Sequence, residues 1–334
     1  MDQRWSEADG ISTRFLRDCT NQLPALIFTL NQPPTMKYFL MAGALLVASH
    51  LQAQQNNMDT VKIRPVKVTD NIYMLKGSGG NIGVMIGKEG TLMIDDQFAP
   101  LSNKINGAIK TLDPGEIRFL INTHLHGDHT GGNDNFAKMG ITIVAHDNVR
   151  ERLSKEQVNK VFNRTTPPRA KEALPVITFP DKMTFHLNDE DIELIHLDPA
   201  HTDTDIAVRF KNANVIHTGD MFVRYGYPFI DVSSGGGITG FITSLDKMLA
   251  MMDDNTKVIP GHGELATKAD VKAFRDKLVD IRDQVAAALK KGKKPEELAA
   301  LGITDKYDAD WGKGFLKGKD FIMIVAEGIK TPTK

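Results

Sequence analysis

Cysteine is almost missing from this chain: of 334 residues only Cys19 carries a thiol. One thiol cannot close a disulfide within the chain, and it excludes a zinc site of the multi-cysteine kind. A metal site here has to be built from nitrogen and oxygen ligands. An excess of either charge is missing too. The 41 Lys and Arg stand against 42 Asp and Glu, for a formal net charge of −1. Gripping phosphates takes clustered positive charge, so this balance gives no electrostatic reason to expect a nucleic-acid partner. The one dense basic run, "KKGKK" (290–294), is followed at once by "PEEL" and reads as a solvated helix boundary. A run long enough to span a bilayer is also lacking, since the apolar part of "MKYFLMAGALLVASHLQAQQ" (36–55) falls short of the roughly 20 residues needed. What remains, 41% hydrophobic and 25% charged, is ordinary globular composition with length for one large core or two modest ones.

The short apolar run has the parts of a secretory signal peptide. Met36 begins it, Lys37 supplies the basic end, the apolar stretch runs to Val47, and small residues precede a cleavage expected after Ala53. On this reading residues 1–35 are a non-native or upstream extension, 36–53 the signal peptide and 54–64 a linker. Cleavage would leave no stable membrane anchor, place the mature chain in the periplasm or outside the cell, and remove Cys19 with the leader. The other reading, a buried or membrane-skimming helix, sits poorly with the polar "QAQQNN" (52–57) behind it.

From Val61 the chain alternates short strands and turns. "NIYMLKG" (71–77), "NIGVMIG" (81–87) and "TLMIDD" (91–96) read as an antiparallel meander. Apolar residues at Leu101, Ile105, Ala108, Ile109 and Leu112 have helical spacing. "IRFLIN" (117–122) and "ITIVAH" (141–146) read as buried strands, the second leading into a charged helix over about 147–162. The second half repeats the grammar. Strands are expected at 183–187, 191–197, 205–210 and 214–218, then a helix over 238–252, a strand at 257–260 and a long amphipathic helix over 267–290. A main domain over 65–290 and a short helical C-terminal tail over 291–334 follow from this. Two runs of strands, each closed by helices, imply an α/β (α+β) architecture of two sheets packed face to face with helices outside.

Between the strands "IRFLIN" and "ITIVAH" lies "INTHLHGDHTGG" (121–132). Side chains two apart on a strand share a face, so His124 and His126 can grip one ion together. Gly127 lets the chain turn, and Asp128 and His129 then project on the far side. The spacing does not suit a helical His pair, which needs ligands four apart. It suggests two ions side by side, and four ligands cannot close two sites. Further candidates stand just after expected strands: His201 in "DPAHTDTD", Asp220 in "HTGDMF" and His262 in "VIPGHGE". Each alone is equally a cap or a turn residue; together they fill the ligand count.

With these residues in order, the chain resembles the metallo-β-lactamase superfamily, whose hallmark is H-x-H-x-D-H followed by isolated His, Asp and His ligands. The resemblance covers roughly 65–290. It implies an αββα sandwich of two mixed sheets with two Zn2+ per chain at one edge, iron or manganese being the alternative metals. It also implies His124, His126 and His201 on the first metal, Asp128, His129 and His262 on the second, and Asp220 bridging both. Asp95 in "LMIDD" matches the strand-end aspartate that supports the His loop from behind. Catalysis would then rest on Asp128 and Asp220 and on a hydroxide shared by the ions, aimed at the carbonyl of an ester, thioester, lactone or lactam.

An aspartate at 220 is informative within that resemblance. The zinc β-lactamases usually carry Cys or Ser there, whereas Asp is typical of the glyoxalase II, ribonuclease Z and lactonase-like branches. Glyoxalase II is disfavoured by a short tail without a basic, glutathione-gripping cluster, and a ribonuclease by the leader and the neutral charge. A mononuclear iron persulfide dioxygenase would use fewer of these ligands. A β-lactamase proper and a non-catalytic periplasmic metal-binding protein stay as alternatives. Substrate contacts are expected from Asn81 in "GSGGN" (77–81) and from Arg224, Tyr225 and Tyr227 in "FVRYGYPF" (222–229). His146, His186, His196 and His217, on or beside strands, are taken as structural.

Overall fold

Apolar residues alternate along the strands, and the two faces they create go to different cores. In the computed structural model, which describes residues 58–159 and 163–330, seven strands form the first sheet. In chain order they are β1 (Arg64–Lys67), β2 (Ile72–Lys76), β3 (Ile82–Met85), β4 (Thr91–Ile94), β5 (Ile117–Ile121), β6 (Thr142–His146) and β9 (Ile177–Phe179). A separate hairpin pairs β7 (Gln157–Asn159) with β8 (Arg164–Thr166). Strands β1 to β4 form the antiparallel meander; β4, β5, β6 and β9 run parallel. The second sheet is β10 (Lys182–Leu187), β11 (Glu190–His196), β12 (Ile206–Phe210), β13 (Val215–His217), β14 (Lys257–Ile259) and β15 (Ala266–Thr267), with β13 and β14 its parallel pair. The expected extension, the signal peptide and residues 54–57 of the linker fall outside the described ranges; the rest of the expected linker, 58–64, is described and runs into β1.

Ile72, Met74, Leu92, Ile94, Ile121 and Val144 of the first sheet face Ile192, Leu194, Ile206, Val208, Phe210 and Ile259 of the second in one buried core. The opposite face of the first sheet, with Leu75, Val84, Met93, Leu120 and Ile143, packs under α1 (Ser102–Leu112) through Ile105 and Ile109. On the far side, Ala207, Ile216 and Val258 pack under α5 (Ile238–Ala250) and α6 (Lys268–Lys290). The result is the αββα sandwich, each sheet burying both faces. Between α1 and α5 the chain forms α2 (Gly127–Thr130), α3 (Asn133–Lys138) and α4 (Asp147–Leu153).

The helix expected over 147–162 stops early. Gln157 folds back and its amide donates to the carbonyl of Arg152 (2.7 Å), with longer bonds to Lys155 and Glu156. Carbonyls a longer helix would have bonded internally are thus satisfied by a side chain, and the chain continues as β7. The segment after 290 forms α7 (Pro295–Leu298), α8 (Asp305–Trp311) and α9 (Gly318–Lys330). Leu298, Trp311, Phe321, Ile322 and Val325 enter the same core as α5 and α6, so these helices are part of the layer that covers the second sheet. Phe321 is fully buried and its ring stacks on Tyr227 at 5.1 Å. Phe321→Ala should therefore cost about 3–5 kcal/mol, read as a lower denaturant midpoint at unchanged slope. A loss below about 1 kcal/mol would show that these helices are not coupled to the core.

Candidate metal centre

Two parallel strand pairs aim the site. Chain leaving β4 and β5 carries Asp95 and His124, and chain leaving β13 and β14 carries Asp220 and His262, all at one edge of the sandwich. Carboxyl ends of parallel strands are where such sheets gather ligands. Backbone bonds tie the two edges together: Ile206 N donates to Thr123 O (2.9 Å) and Asn81 N to Gly261 O (2.7 Å). Close approach is enforced by missing side chains. A Cβ at Gly80 would lie 2.1 Å from the His129 ring, and one at Gly261 would lie 2.0 Å from Asp220 Oδ1.

Asp95 follows β4 in the left-handed region, φ 64°, a conformation that costs a non-glycine residue about 1 kcal/mol or more. Three bonds hold it there. Its Oδ1 accepts from Thr123 N (2.7 Å), and its Oδ2 accepts from the Thr123 hydroxyl (2.8 Å) and from His129 Nδ1 (2.7 Å). Because the Thr123 hydrogen is spent on Asp95, its oxygen accepts from His124 Nδ1 (3.0 Å). His201 Nδ1 donates to the Phe229 carbonyl (2.7 Å), which can only accept. In all three rings the proton is thus fixed on Nδ1 and the lone pair on Nε2. His126 is the reverse: its Nε2 donates to Asp231 Oδ2 (3.0 Å), which leaves the lone pair on Nδ1.

Those lone pairs converge. His124, His126 and His201 form one group, Asp128, His129 and His262 a second, and His124, His129 and Asp220 a third that joins them, each with ligand atoms within 4.8 Å of one another. Asp220 stands between, with Oδ2 at 3.6 Å from His201 Nε2 and 3.4 Å from His262 Nε2, and Oδ1 at 3.3 Å from His129 Nε2. His262 Nε2 also lies 3.3 Å from Asp128 Oδ2. His126 Nδ1 and His201 Nε2 face each other at 2.7 Å, a pairing of lone pairs that needs a cation against it. His124 Nε2 is buried with no hydrogen-bond partner among the described residues. A buried nitrogen lone pair left bare inside a set of His and Asp donors is what a borderline metal ion such as zinc fits.

The charges divide the histidines. Burial, and then the neighbouring histidines, hold His124 well below its ordinary range. Burial, and then His126, bring His201 down to about 4. Both are neutral imidazoles at neutral pH, able to offer a lone pair. Burial opposes protonation of His262 and His129 too, yet the carboxylates around them win: Asp220 and Asp128 raise His262 to about 9, and Asp220, Asp128 and Asp95 raise His129 well above the usual value. Burial would raise Asp128 and Asp220, but His129 and His262 hold both well below the carboxylate range.

The structure brings all seven expected ligands and Asp95 together, and treats the expected substrate contacts differently. Asn81 is buried, and its amide donates to the Pro260 and Gly263 carbonyls (2.9 Å each). It clamps the loop of His262 and has no proton left for a substrate. Arg224 donates to the Leu265 carbonyl (2.7 Å) and so braces the chain beyond that loop. Tyr227 is packed into the core, its hydroxyl donating to Asp308 Oδ1 (2.6 Å). In this structure these three side chains brace the framework around the site, a use other than the expected substrate contact. Tyr225 alone lies at the centre, its ring 5.4 Å from that of His262. Among the other histidines, His146 and His196 stack at 3.6 Å, His217 is buried under Asn81 O (3.2 Å), and His186 pairs with Asp191 at the surface.

Asp231 carries no metal-site signal in the sequence. It sits in "FIDVSS" (229–234) as any turn aspartate would, and its oxygens also accept from Ser234 N (3.2 Å) and Ser234 Oγ (2.9 Å). Only the fold brings it to a histidine 105 positions away. Asp95 is the more central support, since it fixes two rings at once. Asp95→Asn should weaken zinc binding about 10- to 100-fold with the fold intact, measured by competition with a chromophoric chelator. Unchanged affinity would remove Asp95 from the site.

A family model described as the metallo-beta-lactamase superfamily matches residues 75–262. The chain is 28% identical over 200 residues to the probable metallo-hydrolase YqgX of Bacillus subtilis, covering 55% of this chain and 89% of that one. It is 24% identical over 247 residues to the metallo-beta-lactamase type 2 of Bacteroides fragilis, covering 69% and 90% respectively. Among solved structures, the metallo-beta-lactamase from Pontibacter korlensis superposes with a TM-score of 0.55 at 15% identity, over 66% of this chain and 100% of that one. A match over more than half the chain, across a stretch that contains every residue converging at the sandwich edge, makes this protein a member of the metallo-β-lactamase superfamily of metal-dependent hydrolases.

Proposed function

We propose that the chain is a secreted or periplasmic dinuclear zinc hydrolase acting on a carbonyl of a small molecule, an ester, thioester or lactone before a lactam. The observation that carries this reading is the Asp220 carboxylate, which lies within 3.6 Å of His201 on one side and 3.4 Å of His262 on the other. His124, His126 and His201 would hold the first ion, Asp128, His129 and His262 the second, and Asp220 both. Bound zinc lowers the pKa of a water from 15.7 to about 7 and polarises a carbonyl. Asp128, ionised and with 28% of its side chain exposed, is placed to orient that water by accepting its hydrogen bond. Asp95, Thr123, Asp231 and the Phe229 carbonyl keep the four inner imidazoles in their ligating tautomers. Nothing in this scheme needs a protein nucleophile.

The preference for esters, thioesters and lactones rests on Asp220 standing where the lactamases usually have Cys or Ser. The Bacteroides relative favours the second reading, a β-lactamase proper. Zinc-loaded protein assayed on a chromogenic cephalosporin and on p-nitrophenyl, thioester and lactone substrates, each with and without chelator, separates them. Chelator-sensitive turnover of the ester, thioester or lactone set is expected. Turnover of the cephalosporin alone would install the lactamase, and no turnover with two ions bound would make the chain a metal-binding accessory. The proposed location is tested separately: N-terminal sequencing of exported protein should begin at Gln54.

A further inference from the structure

In the segment after 290, Phe315 meets two of the aromatic rings that flank the metal centre. It lies in the turn between α8 and α9 and is 55% exposed, while the next residue, Leu316, is buried in the core. The turn is pinned. Lys317 Nζ donates to the carbonyls of Gly312 (2.8 Å) and Gly314 (3.1 Å), and Gly314 lies so close to Tyr225 that a Cβ there would be 2.4 Å from its carbonyl oxygen. Phe315 is thus an exposed aromatic ring on a fixed support. Its ring centroid is 5.4 Å from Tyr225 and 6.4 Å from Phe229. Those two rings in turn touch both halves of the centre. Tyr225 is 5.4 Å from His262, and Phe229 is 6.0 Å from His126 and 5.9 Å from His201.

Single exposed apolar residues are common and need no explanation, but three contiguous rings running from the ligand histidines out to solvent are a different matter. Ligand sites combine such apolar walls with a few convergent polar groups, and here the polar groups are the ligands. We infer that Phe315, with Tyr225 and Phe229, forms the apolar subsite that receives the acyl chain or aryl group attached to the scissile carbonyl, so that the C-terminal segment selects the substrate. This deepens the hydrolase reading and rests on it. Burying a methylene on such a wall gains about fourfold, so an effect of about tenfold corresponds to the cover Phe315 gives one or two methylenes.

Zinc-loaded full chain is assayed on p-nitrophenyl esters from acetyl to octanoyl, and binding of decanoate and acetate is measured by calorimetry. The wild type should favour octanoyl over acetyl in kcat/KM and bind decanoate more tightly than acetate. Phe315→Ala should lower the octanoyl-to-acetyl ratio on the order of tenfold, mainly through KM, and weaken decanoate by a similar factor. Phe315→Leu should restore most of both. Met323→Ala, which removes another exposed apolar side chain on α9, should leave both ratios alone. A ratio and a decanoate affinity unchanged in Phe315→Ala overturn the subsite. If no ester is cleaved but decanoate still weakens on loss of Phe315, the subsite stands and the hydrolase reading falls.

Discussion

Asp220→Ala yields a protein that folds, retains at most one zinc ion per chain, and loses activity on the order of a thousandfold. The expectation follows from where the carboxylate sits. It is 7% exposed, within 3.6 Å of a nitrogen of His129, His201 and His262, and held ionised by His262 and His129 against the cost of burial. Removing it withdraws a ligand from both groups of donors at once. It also withdraws the charge that keeps two histidines facing each other at 3.4 Å. A metal contributes several kcal/mol of charge stabilisation in such reactions, and losing about 4 kcal/mol is a factor of a thousand at 1.4 kcal/mol per tenfold. Asp220→Asn sharpens the test, because the amide keeps the shape and loses the charge. Metal analysis with kcat measured on the same preparations decides: two ions and near-native activity in Asp220→Ala would end the bridging assignment.

The candidate ligands were legible in the sequence because metal chemistry restricts residue types and because parallel strands deliver their loops to one edge. H-x-H-x-D-H at 124–129, and His or Asp just past β13 and β14, need no contact information to be read. The strand alternation was legible for the same kind of reason: Ile206, Val208 and Phe210 go to one core and Ala207 to another, as a period of two requires. What was not legible depended on distance in space. Asn81, Arg224 and Tyr227 are polar or aromatic residues near the site in sequence, and each spends its hydrogen-bonding group on backbone or core partners. Asp231 and Phe315 are the converse, unremarkable in sequence; the loop before α5 brings Asp231 to His126, and the turn before α9 brings Phe315 to Tyr225 beside the site. Proximity along the chain to a motif predicted contact poorly; the direction in which a strand ends predicted it well.

Stripping the metals should lower the melting temperature by about 8–16 °C at neutral pH, and the loss should grow as pH rises. A ligand present at a thousand times its dissociation constant stabilises by about 4.1 kcal/mol, and a chain of this size shifts about 2–4 °C per kcal/mol. The pH dependence comes from the protons that replace the metals. In the metal-free chain His262 is raised from its ordinary 6.5 to about 9 by Asp220 and Asp128, despite its burial. A histidine raised in the folded state contributes stability that is fully present below 6.5 and lost as pH climbs through about 9. Its share is about 3 kcal/mol, from 1.36 kcal/mol per unit. His129, raised by the same carboxylates, acts in the same direction. Zinc-loaded protein holds no proton at these nitrogens, because metal and proton compete for the same lone pairs. It therefore has none to lose over that window. Calorimetric melts of chelated and zinc-loaded protein at pH 6.5 and pH 9 should show the gap widening by roughly 6–12 °C. A gap that stays constant or narrows would mean that His129 and His262 do not exchange protons for metal, and the second group of ligands would have to be reassigned.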